Sequence, residues 1–278
     1  MIFVEFDCDV FEECCVCYDS KYILNACQTG QLDIIKFLIE MGLTLEDVRS
    51  GDNWSIKWSC RNGHLEVVKY LWNLGLTLED VRSDNNSALR RTCQNGHLEV
   101  VKYLWNLGLT LEDVRSYDSL ALKQACENGH LGVVKFLIEM GLALEDVRSY
   151  DSLALNWACK NGHLNVVKFL IEVGLTLEDV RDGNNMALKC ACIAGHLEVV
   201  KLLIEMGLTL EDVRSENNLA LRWACEYGQL EVVKYLIKMG LTLEDVRSEN
   251  NCALRWACKN GSSNVVKYLI EMGEKMAC

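Results

Sequence analysis

Apolar residues recur at helical spacing in short runs that alternate along most of the chain. In the stretch "SALRRTCQN", Ala88, Leu89 and Cys93 fall on one helix face. In "HLEVVKYLWNLG", which follows, Leu98, Val101, Leu104 and Trp105 do the same. Gly96 separates the two runs and permits a sharp turn, and Gly108 stands where a helix C-cap belongs. Asn86 precedes the first run and is expected to cap it through its side chain. The pattern predicts two short antiparallel helices joined to the next pair by an arm.

This unit repeats. Glycines stand at 30, 63, 96, 129, 162, 195, 228 and 261, each 33 residues after the last, and a second series runs from Gly42 to Gly273 at the same interval. Lysines from Lys36 to Lys267 and cysteines from Cys27 to Cys258 keep step. Eight units in register, without insertion, imply stacked modules, because neither short helix can bury its apolar face alone.

The arm carries a nearly constant phrase, "GLTLEDVRS", opening at Gly42, Gly75, Gly108, Gly207 and Gly240, with close variants at Gly141 and Gly174. Thr44 as N-cap places Asp47 at the third helical position, a capping box with Asp in the acidic place. Leu43 and Val48 take the two positions of a hydrophobic staple. Arg49 follows Glu46 by three residues and is expected to pair with it. The arm thus reads as a self-capping helical turn. Ala143 replaces the capping threonine in one unit, so that arm is expected to be the least ordered.

The 33-residue period, the "NGHLEVVKYL...G" second helix and the small-Cys pairs Ala125-Cys126 and Ala158-Cys159 together resemble the ankyrin repeat over residues 19–273. The Thr-Pro-Leu-His opening of that family is replaced by "SALR", "LALK", "MALK" or "CALR", and its hairpin glycine by Asp or Asn (Asp52, Asn85, Asp118, Asp151, Asn184, Asn217, Asn250). The wording is also similar to the expanded ankyrin sets encoded by large amoeba-infecting DNA viruses. The resemblance implies an all-α α-solenoid of eight stacked helix-turn-helix repeats with short helical-turn or hairpin arms, the turn being favoured here. Residues 1–18 are expected to form an N-terminal cap, with Ile2, Phe3, Val4, Phe6, Val10 and Phe11 over the first repeat, and 19–278 the repeat domain. The last repeat, where Ser263 stands in the leucine position, is expected to be truncated and to act as a C-terminal cap.

Composition narrows the function. A net charge of -12 opposes binding to nucleic acid or to anionic membrane surfaces. No apolar run approaches the roughly 18 residues of a membrane span, and the N-terminus lacks signal-peptide character. Fifteen cysteines without an export signal fit a reducing intracellular setting, expected to be cytoplasmic, and the host cytoplasm if the chain is viral. His64, His97, His130, His163 and His196 are spaced too far apart to share a metal ion and are expected to satisfy backbone near the turn. The cysteine series is expected in the core. Cys14 and Cys17 form a C-x-x-C within the cluster Cys8, Cys14, Cys15 and Cys17, but without a second pair they give only weak support to metal or redox chemistry. No catalytic constellation and no cofactor motif emerges.

Uniform positions build a scaffold, so specificity is sought where repeats differ. The arm tips run Gly51, Asp84, Tyr117, Tyr150, Gly183, Glu216, Glu249, and a first-helix position runs Trp58, Arg91, Gln124, Trp157, Cys190, Trp223, Trp256. Beside it lie Lys57, Arg90, Lys123, Asn156, Lys189, Arg222 and Arg255. In ankyrin-like stacks these places line a concave partner surface, which implies a partner-binding set of Trp58, Tyr117, Tyr150, Trp157, Arg222, Trp223, Arg255 and Trp256. The alternative role is structural, with the tryptophans packed on the next unit and the basic groups neutralising nearby acids. The expected function is a non-enzymatic protein-interaction scaffold, monomeric, with an unidentified protein partner and no nucleic acid or membrane. Two alternatives are the substrate-recognition subunit of a ubiquitin-ligase-type adaptor and a cysteine-based metal or redox protein.

Overall fold

The computed structural model describes residues 15–277, with side chains described except at 15–20, 118, 149–153 and 274–277. The cap segment read into residues 1–18 and the cysteines at 8, 14, 15 and 17 therefore lie outside the described side chains. All described elements are helices. The chain divides into two compact units, 1–116 and 117–278. The first holds α1 (Cys15–Thr29), α2 (Leu32–Glu40), α3 (Leu45–Arg61), α4 (Leu65–Asn73), α5 (Leu78–Gln94) and α6 (Leu98–Asn106). The division falls within α7 (Leu111–Glu127). The second holds α8 (Leu131–Glu139), α9 (Leu144–Lys160), α10 (Leu164–Val173), α11 (Leu177–Ala194), α12 (Leu197–Glu205), α13 (Leu210–Glu226), α14 (Leu230–Lys238), α15 (Leu243–Lys259) and α16 (Ser263–Ala277). No described helix is long and apolar enough to cross a membrane.

The odd-numbered helices from α3 onward each join an arm to a first helix. In α3 the arm is a single helical turn, so the helical-turn alternative holds. It ends at Ser50, which is extended (φ −55°, ψ 152°), and three left-handed residues follow: Gly51, Asp52 and Asn53. The same break recurs at Asp84–Asn86, Gly183–Asn185, Glu216–Asn218 and Glu249–Asn251. Glycine, Asp and Asn tolerate this region best, which accounts for the "GDN", "DNN" and "GNN" wording. Asn86 is consequently not the side-chain N-cap expected from sequence, since its Oδ1 accepts no hydrogen bond among the described residues. At φ 58° it is buried, and its amide donates 3.2 Å to Ser116 Oγ on the following arm.

Packing follows the period. First helices stack on first helices within each unit, α1 on α3 on α5, and α9 on α11 on α13 on α15. Val68, Val101, Leu71 and Leu104 are wholly buried in the first unit, as are Val134, Val167, Leu137 and Leu170 in the second. Burying such side chains contributes about 1.5–3 kcal/mol each, so helices of nine residues are held by their neighbours rather than by propensity.

Cys27, Cys60, Cys93, Cys126, Cys159, Cys192 and Cys225 lie in this core as expected. Burial pushes the Cys60, Cys93 and Cys126 thiols up to about 12. Cys258 departs from the series and is exposed. Cys27 and Cys60 meet the next first helix at Ser59 and Thr92, and no described first helix follows α15. Gly273 also departs. The other glycines of its series lie beyond a helix end with φ above 100°, whereas α16 runs on through Gly273.

Candidate partner-binding surface

The constant phrase performs two tasks, one foreseen. The Asp carboxylate reaches back to the N–H of the cap residue at 2.8 Å in Thr44, Thr77 and Thr110, and at 2.7 Å in Thr176, Thr209 and Thr242. The return bond from the Asp N–H to the threonine hydroxyl is present at Asp47, Asp212 and Asp245, at 3.3–3.4 Å. Ala143 has no side-chain acceptor and keeps one half of the box, its N–H donating 2.9 Å to Asp146.

The second task corrects the expected pairing of Arg49 with Glu46. Arg49 instead donates Nε and Nη2 to Asp80 of the following repeat, at 3.0 and 3.1 Å. Arg82–Asp113 repeats this in the first unit, and Arg148–Asp179, Arg181–Asp212 and Arg214–Asp245 in the second. Glu46 acts on Arg49 only at longer range. A bidentate fork on a carboxylate already engaged in capping is a stronger arrangement than a flexible i,i+3 surface pair. Arginine hydrogen bonds, joined by those of the cap, hold Asp212 and Asp245 down to about 2. The phrase is an inter-repeat clasp.

The histidines also act between repeats. His64 Nε2 donates 3.0 Å to the Gln28 carbonyl and His163 Nε2 donates 2.8 Å to that of Glu127. Gln229 and Ser262, which replace histidine, reach the same carbonyl position at 3.1 and 3.2 Å. Among the described residues no cluster of His, Cys, Asp or Glu is arranged to hold a metal ion.

With the constant residues engaged inside the stack, the variable ones form the outer face of the first helices. In the first unit Trp58 is half-buried, with the Arg61 guanidinium 4.6 Å over its ring. In the second unit Lys160 lies 4.3 Å over Trp157, and Arg222 5.3 Å over Trp256. Arg222 and Arg255 turn back to their own arm tips, donating 2.9 Å to the Glu216 carbonyl and 3.3 Å to that of Glu249. Trp223 is half-buried and Arg255 exposed. Tyr117 is 61% exposed at an arm tip, and the Tyr150 side chain lies outside the described residues. Arg222, Trp223, Arg255 and Trp256 therefore gather on α13 and α15, while Trp58 belongs to the other unit.

Lys57 and Lys189, beside this stripe, neutralise nearby acids. Lys57 is buried between Asp52 and Asp84, at 2.7 and 3.7 Å. Lys189, wholly buried, meets Glu216 at 2.6 Å. That bond, with a second from Asn184, holds the Glu216 carboxyl below its ordinary range.

Among the surface aromatics that escaped the sequence reading, Trp54 and Tyr227 stand on the first-helix side of the repeats. Trp54 is 50% exposed on α3 at a position that is Ser87, Leu120, Met186, Leu219 or Cys252 elsewhere. Tyr227, 56% exposed, stands where Asn62, Asn95 and Asn161 donate to the preceding repeat at 2.6–2.7 Å. It follows Trp223 by four residues and shares its helix face. Their signal was an aromatic at an otherwise non-aromatic repeat position.

A sequence-family model described as ankyrin repeats (3 copies) matches residues 23–111, 73–148, 122–214 and 208–277. The chain belongs to the ankyrin repeat family. As an ankyrin repeat chain it is a protein-protein interaction domain. The crystal structure of the human ASB11 ankyrin repeat domain is similar in fold, with a TM-score of 0.63 at 21% identity over 79% of this chain and 97% of that one. No curated protein sequence matches this ankyrin repeat chain.

Proposed function

We propose that the chain is a non-enzymatic scaffold that takes a partner protein on the face formed by arm tips and first helices, within a reducing intracellular compartment. One observation carries the reading. Arg, Asp, His and Cys at constant positions are used between repeats, whereas Trp223, Arg255 and Trp256 occupy variable places on the outer face of α13 and α15, and Tyr227 caps the end of α13. Tryptophan, tyrosine and arginine are the residue types that most often dominate binding energy at interfaces. The ten free cysteines among the described residues support the reducing compartment.

Quantitative affinity capture compares the wild-type chain with Trp223→Ala/Trp256→Ala, circular dichroism first confirming that both are folded. The double variant is expected to lose specific partners by tenfold or more. Equal recovery by both chains would show that this face is not the docking surface.

A further inference from the structure

We propose that the groove around Trp54, in the first unit, takes an acidic peptide segment with an apolar anchor side chain. The proposal rests on the reading of the variable face as the partner surface and names the chemistry of one part of it. Two adjoining cavities, of about 320 and 180 Å³, share Trp54 as a wall. The larger is bounded by Lys21 and Leu24, the smaller by Trp58, Arg61, Arg91 and the paired Lys57 and Asp84. Each is side-chain sized, at or below the lower end for a small-molecule site. An exposed indole with Leu24 beside it gives an apolar seat, and the two arginines stand across the ring from that seat.

Charge decides the class of occupant. Five cations of this unit already have carboxylate partners: Arg49 and Arg82 in the clasps, Lys69 and Lys102 on Glu66 and Glu99, and Lys57 between two aspartates. Arg61 and Arg91 form no ion pair among the described residues. Arg61 lies over Trp58, and Arg91 Nη1 donates 2.9 Å to Gln94 Oε1. Each guanidinium carries five N–H donors and suits a carboxylate bidentately. A chain with net charge -12 that leaves two arginines unpaired beside two tryptophans concentrates positive potential at one groove. Two cations are too few for the phosphate-dominated affinity of a nucleic acid, whereas one or two carboxylates on a peptide with an apolar anchor match the groove in number.

The test pans a random twelve-residue peptide display library on the intact chain. Synthetic copies of the enriched peptides are then titrated by calorimetry into wild type, Trp54→Ala, Arg61→Gln/Arg91→Gln and Trp223→Ala/Trp256→Ala, each checked for native circular dichroism. The expected peptides pair Asp or Glu with a large apolar residue. They weaken at least tenfold in the Trp54 and arginine variants, more than in Trp223→Ala/Trp256→Ala, and weaken as salt rises. Enrichment of neutral or basic peptides, or affinity unchanged by Trp54→Ala, overturns the proposal. Loss confined to Trp223→Ala/Trp256→Ala overturns it while sparing the broader reading, and failure to enrich any peptide counts against both.

Discussion

Arg181 donates Nε and Nη2 to the two oxygens of Asp212, 2.9 Å each, so that one repeat's arm grips the helix cap of the next. The same Asp212 accepts from the Thr209 N–H at 2.7 Å, which makes a single carboxylate both the end of a helix and the joint between repeats.

The two roles separate by mutation. Arg181→Gln removes the clasp and leaves the cap, whereas Asp212→Ala removes both. Asp212→Ala is expected to be less stable than Arg181→Gln by about the 1 kcal/mol that a helix-end cap contributes. Urea unfolding of the two single variants and the double variant measures this, and the double-mutant cycle should show coupling between the residues. Additive effects would mean that the pair does not act as a unit.

Stability should fall at both ends of the pH range. Asp212 and Asp245 are held at about 2, whereas an unfolded Asp titrates near 3.9. As the pH falls, the unfolded chain takes up protons first, so this stability is complete above about pH 4 and lost between about 4 and 2. Buried cysteines act with the opposite sense. Cys60, Cys93 and Cys126 titrate at about 12 in the fold and near 9.0 unprotected, so the unfolded chain loses protons first and stability declines above about pH 9. Thermal melts from pH 2 to 11 check both limbs, and Asp212→Asn should flatten the acid one.

Ala143→Thr should stabilise its arm by about 1 kcal/mol, since it restores the missing side-chain acceptor of the capping box. Hydrogen exchange gives the local readout. Amides of 144–148 are expected to exchange faster than those of 177–181 in the wild type and to approach them in the variant. Equal protection in the wild type would contradict the capping account.

Gly129 is required twice over. It sits at φ 75°, and a Cβ there would collide with the His163 ring. Gly129→Ala should cost about 1–2 kcal/mol for the left-handed backbone alone, with the collision added. In a His163→Ala background the collision disappears, so the same substitution should cost less. An equal cost in both backgrounds, by chemical denaturation, would show that ring contact is unimportant.

Much of this was legible in the sequence, and the parts that were not share a cause. The period, the capping threonines and the helical face through Leu98, Val101 and Leu104 are local features that spacing reveals. The partner of Arg49 is Asp80, 31 residues away, and a local i,i+3 rule directs attention to Glu46 instead. Asn86 has the composition of an N-cap, but the arm turns through three left-handed residues and carries its side chain to the next arm. Trp54 was hidden because comparison followed the tryptophan-rich position at Trp58. The basic series misled in part, since Lys57 and Lys189 are buried under arm-tip acids while Arg222 and Arg255 remain on the face.

The central claim is that constant residues hold the stack and variable ones select the partner. One measurement tests it directly: melting temperature and partner recovery, taken together, for Arg181→Gln and for Trp223→Ala/Trp256→Ala. Arg181→Gln should melt earlier and recover the same partners at working temperature, while the tryptophan variant should keep its melting temperature more nearly and lose them. Partner loss in Arg181→Gln at a temperature where it is fully folded, with recovery intact in the tryptophan variant, would contradict the account.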